Sequence, residues 1–346
     1  MKQLALLLMG CLFLFSSCER RPLEGCDDTA YALIPVRIDW SQAGFPLLPE
    51  SKDPDDYVHR VSLRFFPKSG GEAFDRYLET NVSEGEIMVP VGEYHVVVFN
   101  ESVFDVSWND QIRFTDINDF ERFAANKVID TTPQDYFEVP QDQPLVKEPP
   151  RLASWSLGDF RVTYSMTEQY KANAGSHKLT AEVEVMYQSL TQIVMYPLTY
   201  DVNILAQVTN LKYAQQIMGH KKGFSRKVYM ASRQTEKLPS SFLFKFNGRK
   251  WTDADKVNGT TEWTFRSFGK MPSEIRYLID LHVILTDGTE FKPEIPLSFD
   301  VTDQVMGTTT KAPIHQLHIV LRDIVLPVTE GGVDVGDWDD EDIIIQ

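Results

Sequence analysis

The chain has 346 residues, 42% of them hydrophobic and 12% aromatic, and carries a formal net charge of −16. That supply of apolar side chains is ample for packed cores, and the length suggests two domains. The negative balance excludes nucleic acid and anionic lipid surfaces as partners. Seven of the sixteen charges, however, sit in the stretch from Glu330 to Asp342, which contains no base.

The chain opens with Lys2, an uncharged apolar run from Leu4 to Phe15, and then Ser16-Ser17-Cys18. A bilayer-spanning helix needs about 20 apolar residues, so this shorter run reads as an export signal over residues 1–17 and not as an anchor. Two small residues ahead of a cysteine fit cleavage before Cys18 and lipidation of its sulfur. An ordinary secretory signal with an incidental cysteine is the rival reading. Cys11 lies inside the signal and Cys26 is left as a lone thiol in the linker 18–30, so no disulfide framework and no metal spacing arises.

Tyr31 to Trp40 reads as a first strand in which Pro35 restricts the ladder. Val58 to Phe66 alternates, with Val61, Leu63 and Phe65 on one face and Arg60, Ser62 and Arg64 on the other. Ile87 to Asn100 gives two strands hinged at Pro90-Val91-Gly92, the second apolar on both faces and therefore central. Ile117, Phe120, Ala124 and Val128 fall at helical spacing, which predicts a short helix over 116–128 with Asp116 as its N-cap. Five prolines between Pro133 and Pro150 suggest a domain boundary at 147/148.

Beyond it, strands are expected over Lys178–Gln188, Leu198–Leu211, Phe242–Phe246, Thr260–Phe268, Arg276–Thr286 and His315–Leu321, with Thr286-Asp287-Gly288-Thr289 as a turn. The pattern is all-β: two tandem antiparallel β-sandwiches, residues 31–147 and 148–327, with short connecting helices and an acidic tail over 328–346.

Motifs of catalysis and cofactor binding are missing: there is no G-x-S-x-G, H-E-x-x-H, P-loop or G-x-G-x-x-G. His315 and His318, three apart on a strand, point to opposite faces and cannot easily share a metal. The reading is of a non-enzyme with no cofactor and no metal. Trp108, Trp155 and Trp251 lie near turns and leave a sugar-stacking platform as one alternative, core packing as the other.

Pro90-Val-Gly-Glu-Tyr-His-Val-Val-Val-Phe-Asn100, the segment Val208 to Gly219 and the terminal Val333 to Ile345 occur in an order that resembles fimbrillin-like proteins, the type V pilin and anchor lipoproteins of the Bacteroidales. The resemblance implies a pair of transthyretin-like sandwiches whose subunits join by inserting a strand of one into a groove of the next. The long pro-segment of stalk pilins has no counterpart before Tyr31, which favours an anchor or accessory subunit. The implied location is the outer membrane or cell surface, with attachment through lipid at Cys18 and other fimbrial subunits as partners. A glycan-binding lipoprotein of a nutrient-uptake system is the alternative. Val333, Val335, Trp338, Ile343, Ile344 and Ile345 are the candidate assembly strand, since a β-prone apolar stretch can add to a sheet edge; packing on its own domain or fraying is the other reading of this tail. Cys18→Ala is expected to leave the chain uncleaved or to release it from membranes, checked by lipid labelling and fractionation; unchanged labelling would refute the assignment of Cys18.

Overall fold

The computed structural model describes residues 30–44, 58, 60–100, 110–132, 136–167, 190–271, 276–307 and 316–329. The lipidation site, the strand expected over 178–188 and the tail from 330 lie outside these residues.

The described chain is almost wholly β. The first half contributes β1 (Tyr31–Asp39), β2 (Val61–Pro67), β3 (Phe74–Leu78), β4 (Glu84–Pro90), β5 (Gly92–Phe99), β6 (Ile112–Thr115), β7 (Ala124–Lys127), β8 (Ala153–Val162), β9 (Ile193–Val194) and β10 (Tyr196–Pro197). The second contributes β11 (Thr199–Thr209), β12 (Ala214–Ser225), β13 (Lys227–Tyr229), β14 (Pro239–Lys245), β15 (Asn247–Trp251), β16 (Gly259–Phe268), β17 (Leu278–Leu285), β18 (Ser298–Asp300), the helix α1 (Thr302–Gly307) and β19 (Gln316–Val325).

In the first half, the sheet β4-β1-β9 faces the sheet β10-β8-β5-β2-β3. Alternation decides which side chains meet: Ala32, Ile34, Val36 and Ile38 of β1 pack with Ile87 and Val89 of β4 against Leu63, Phe65, Val96 and Val98. Pro35 stands opposite Glu86, while the ladder bond beyond it runs from the Ile38 amide to the Ser83 carbonyl. Bonded and non-bonded positions alternate along an antiparallel pair, so Pro35 occupies a position where β4 asks for no donor.

In the second half, β15-β16-β11-β19 faces β14-β12-β17-β18 around Val202, Ile204, Phe244, Phe265, Ile279 and Ile319. Two parallel pairs, β1 with β9 and β11 with β19, interrupt the otherwise antiparallel sheets. Gly288 takes φ 81°, as the turn over 286–289 requires.

A third sheet, β13-β7-β6, joins the halves. β13 comes from the second half and pairs Val228 with Ala125 of β7. The core beneath this sheet draws Phe66, Val97 and Phe99 from the first sandwich and Leu198, Val228 and Phe268 from the chain beyond it, with Ile112 and Phe123 between them.

Two expectations change here. The helix over 116–128 is absent: residues 116–123 form turns and Ala124–Lys127 is strand. Asp116 sits at φ 52°, left-handed and unsuited to an N-cap, and the strand that follows is bonded to β6 and β13. The boundary at 147/148 also shifts, because β8 pairs with β5 and β10 with β8. The changeover falls between β10 and β11. The proline-rich stretch instead runs beside β14, where the Val146 amide donates to the Ser241 carbonyl at 3.0 Å and the Ser241 amide to Pro144 at 3.0 Å.

The face of β2 opposite the first core holds a buried ion pair. Arg64 Nη1 donates to both carboxylate oxygens of Asp75 at 2.8 and 2.7 Å, and its Nε to the Ile117 carbonyl at 2.8 Å. Both side chains are only 2% exposed. Burial pushes the Asp75 carboxyl up, opposed by the Arg64 charge. Removing one partner of such a pair costs about 3–5 kcal/mol, whereas replacing both with apolar groups is often neutral. Asp75→Ala is therefore expected to lower the denaturant midpoint sharply, and Arg64→Met with Asp75→Leu to recover most of the loss, measured by urea unfolding.

Candidate assembly surface

None of the sequence-selected lipidation and assembly residues falls among the described residues. Cys18, Val333, Val335, Trp338, Ile343, Ile344 and Ile345 all lie outside the described residues, as do His315 and Trp108. Trp155 packs against the first core and Trp251 against the second, so neither stands on an open platform. His318 is exposed on β19 beside Asn203 of β11.

What sequence reading missed is a groove in the second sandwich. β19 ends one sheet and the three-residue β18 ends the other. Between these edges lies a cavity of about 890 Å³, whose lining includes Leu297, Phe299, Val301 and Leu321. Val301 and Leu321 are nearly fully buried, and Leu297 and Phe299 pack against the second core. The groove thus reaches the core between two strand edges. An open edge presents backbone donors and acceptors to any added strand.

One side chain already occupies such a position. Gln304 of α1 donates from its amide nitrogen to the Val320 carbonyl at 3.0 Å, and its amide oxygen accepts from the Val320 amide at 2.8 Å. A carboxamide carries one donor group and one acceptor like a peptide unit, so it stands in for a neighbouring strand at that residue. Ile295 at 81% and Val325 at 57% exposure flank the same edge region with apolar surface. No sequence pattern marks this groove, because it depends on where two distant strands end.

Buried cations form the other unusual feature. Lys221 of β12 is 1% exposed, with its Nζ 3.8 Å from the centre of the Phe265 ring and 4.2 Å from that of Phe224. Ring faces attract the ammonium, while burial drives its pKa well down. Lys127 Nζ donates to the Ser267 hydroxyl at 2.9 Å, and burial lowers its pKa to about 7. On β12 and β17, His220 and His282 lie under Phe137, at ring distances of 5.3 and 6.0 Å, and burial lowers the pKa of His220 to about 4. Among the described residues no group of three or more His, Cys, Asp or Glu has a metal-holding arrangement.

These shifts bear on stability. The folded pKa of Lys127 lies below its unfolded value, so between pH 7 and 10 the unfolded state binds more protons and stability rises with pH. From pH 7 to 9, the wild-type chain is expected to gain about 2 kcal/mol relative to Lys127→Met. Urea titrations of both proteins across that range check the sign.

Comparison with known proteins fits this architecture. Residues 17–245 match the family described as a domain of unknown function, DUF5119, and the chain belongs to that family. Over 96 residues it is 34% identical to a Bacteroides ovatus protein named "Putative fimbrium anchoring subunit Fim4B"; the match spans 28% of this chain and 25% of that protein. A crystal structure from B. ovatus, titled as that of a "putative adhesin", superposes with a TM-score of 0.51 at 16% identity, covering 90% of this chain and 98% of the other, and so shares its fold. The fimbrial anchor protein Mfa2 of Porphyromonas gingivalis superposes with a TM-score of 0.41 at 12% identity, covering 83% of this chain and 89% of that one. The resemblance to fimbrillin-like proteins is borne out.

Proposed function

We propose that this chain is a non-enzymatic fimbrial anchor or accessory subunit at the outer membrane surface, attached through lipid on Cys18 and joined to other fimbrial subunits by strand addition. The homology to a fimbrium anchoring subunit supports the class. The observation that carries the mechanism is the groove between β18 and β19, whose floor reaches the second core and whose edge at Val320 is satisfied by the side chain of Gln304. An incoming strand would replace that carboxamide with backbone and place alternate apolar side chains over Leu297, Phe299 and Leu321.

The donor in this reading is the C-terminal segment, in which Val333, Val335, Trp338, Ile343, Ile344 and Ile345 are the apolar positions. The acidic residues between them keep the free segment in water until it docks. Deletion of residues 333–346 is expected to leave the thermal transition within a few degrees of the full chain while abolishing co-purification with partner subunits from intact membranes. Normal assembly by the truncated chain overturns the donor assignment, and loss of folding shows that the tail is an internal strand.

A further inference from the structure

The junction between the halves holds a second cavity, about 730 Å³ in volume, where Pro197 and Leu198 lead into β11. Leu198, Val202, Phe224, Met271 and Leu317 line it, each 3% exposed or less, so they form a floor between the junction core and the second core. Its size and mostly apolar lining are those of a small-molecule site, and such sites favour the meeting of two domains.

The rim differs in chemistry. Tyr200, Arg233, Gln234, Thr235 and Lys270 ring the opening, and the described lining contains two cations and no carboxylate. In a chain with a net charge of −16, that local sign runs against the whole. The guanidinium carbon of Arg233 lies 4.4 Å from the centre of the Tyr196 ring. Stacking covers a face of the guanidinium and leaves its in-plane N–H groups as donors. Burial lowers the Lys270 ammonium pKa, so an approaching anion would repay part of that desolvation.

The rim is also preformed. The Thr235 hydroxyl donates to the Lys270 carbonyl at 2.6 Å, tying the two rim segments together. Arg233, at φ 60°, donates its amide to Tyr229 at 2.9 Å, and the Tyr229 amide donates to Gln234 at 2.9 Å. At Gly269 a Cβ would stand 3.1 Å from Tyr200 Cε2, so glycine leaves room for the ring at the mouth. Fixed donors around an apolar recess cost little ordering when a ligand enters.

We propose that this cavity binds a small amphiphilic organic anion: a compact aromatic or aliphatic body seated on the floor, and a carboxylate held at the rim by Arg233 and Lys270. The cavity and the β18/β19 groove share no lining residue, although Leu317 belongs to β19 and the Lys270 ammonium donates to the Met306 carbonyl of α1 at 3.5 Å.

The test is calorimetric titration of the full mature chain with indole-3-acetate, octanoate, indole-3-acetamide and glucuronate. The two apolar acids are expected to bind saturably, the neutral amide at least about tenfold more weakly, and glucuronate not measurably. Arg233→Gln, at an exposed position, is expected to weaken the acids about tenfold, and Met271→Phe, which fills the floor, to weaken them further. Thermal shifts of the unaltered chain with each compound give the same ranking without any variant. Equal binding of acid and amide, acid binding that survives Arg233→Gln unchanged, or tight binding of glucuronate overturns the assignment. So does a peptide of residues 333–346 binding here while the small acids do not, which would make the cavity a segment-docking site.

Discussion

A guanidinium and a carboxylate cannot be taken out of water unless they face each other and something covers them. Arg64 and Asp75 meet the first condition with a bidentate contact on the outer face of β2. The second condition shapes the rest of the molecule. Phe123 and Phe66 lie over the guanidinium at 5.6 and 5.8 Å, and the Ile117 carbonyl takes its remaining Nε–H. The turns and strands that supply this cover, β6 and β7, form a ribbon too small to stand alone. Their sheet is completed by β13 from the other half. One buried ion pair therefore needs a third layer, and the third layer needs both sandwiches.

The same logic extends across the junction. The hydroxyls of the buried Ser154 and the partly buried Ser156, on the outer face of β8, donate to the carbonyls of Met230 and Ala231 at 2.8 and 2.9 Å. The Arg151 guanidinium reaches Asp201 at 3.0 Å, and Arg266 pairs with Glu148 at 3.2 Å. Polar groups on the outer faces of one half are thus satisfied by the other half, and separating them would leave donors unpaired. In the anchor role proposed above, a junction closed in this way would pass load between the groove of the second half and a lipid-attached first half. The strand groove and the anion cavity both belong to this stiff body, one at its edge and one at its seam.

Much of this was legible in the sequence, and the failures have physical causes. β1, β2, β5, β11 and β16 announce themselves because alternate or continuous apolar residues meet one deep core. β3 does not, since Asp75 and Arg76 read as surface; its buried carboxylate makes sense only beside Arg64. β12 hides for the same reason, with His220, Lys221 and Lys222 in mid-strand, although Lys221 is caged by Phe224, Phe242 and Phe265. Residues 116–128 misled because apolar spacings of three and four suit both a helix and a set of tight turns entering a strand. The proline-rich stretch suggests a domain boundary, whereas it borrows ladder bonds from β14 where proline needs no donor. The groove and the cavity had no sequence signal, as each is assembled from ends of strands far apart in the chain.

The β13-β7-β6 sheet, shared by both sandwiches, closes them into a single body. Spin labels at exposed Glu72 in the first half and Lys292 in the second, with Cys26 replaced by serine, measure this directly by electron–electron double resonance. A single narrow distance distribution, which broadens when Asp75→Ala strips the ion pair of its partner, is the predicted result. A broad distribution in the unaltered chain would contradict it, because the halves would then move independently despite the sheet they share.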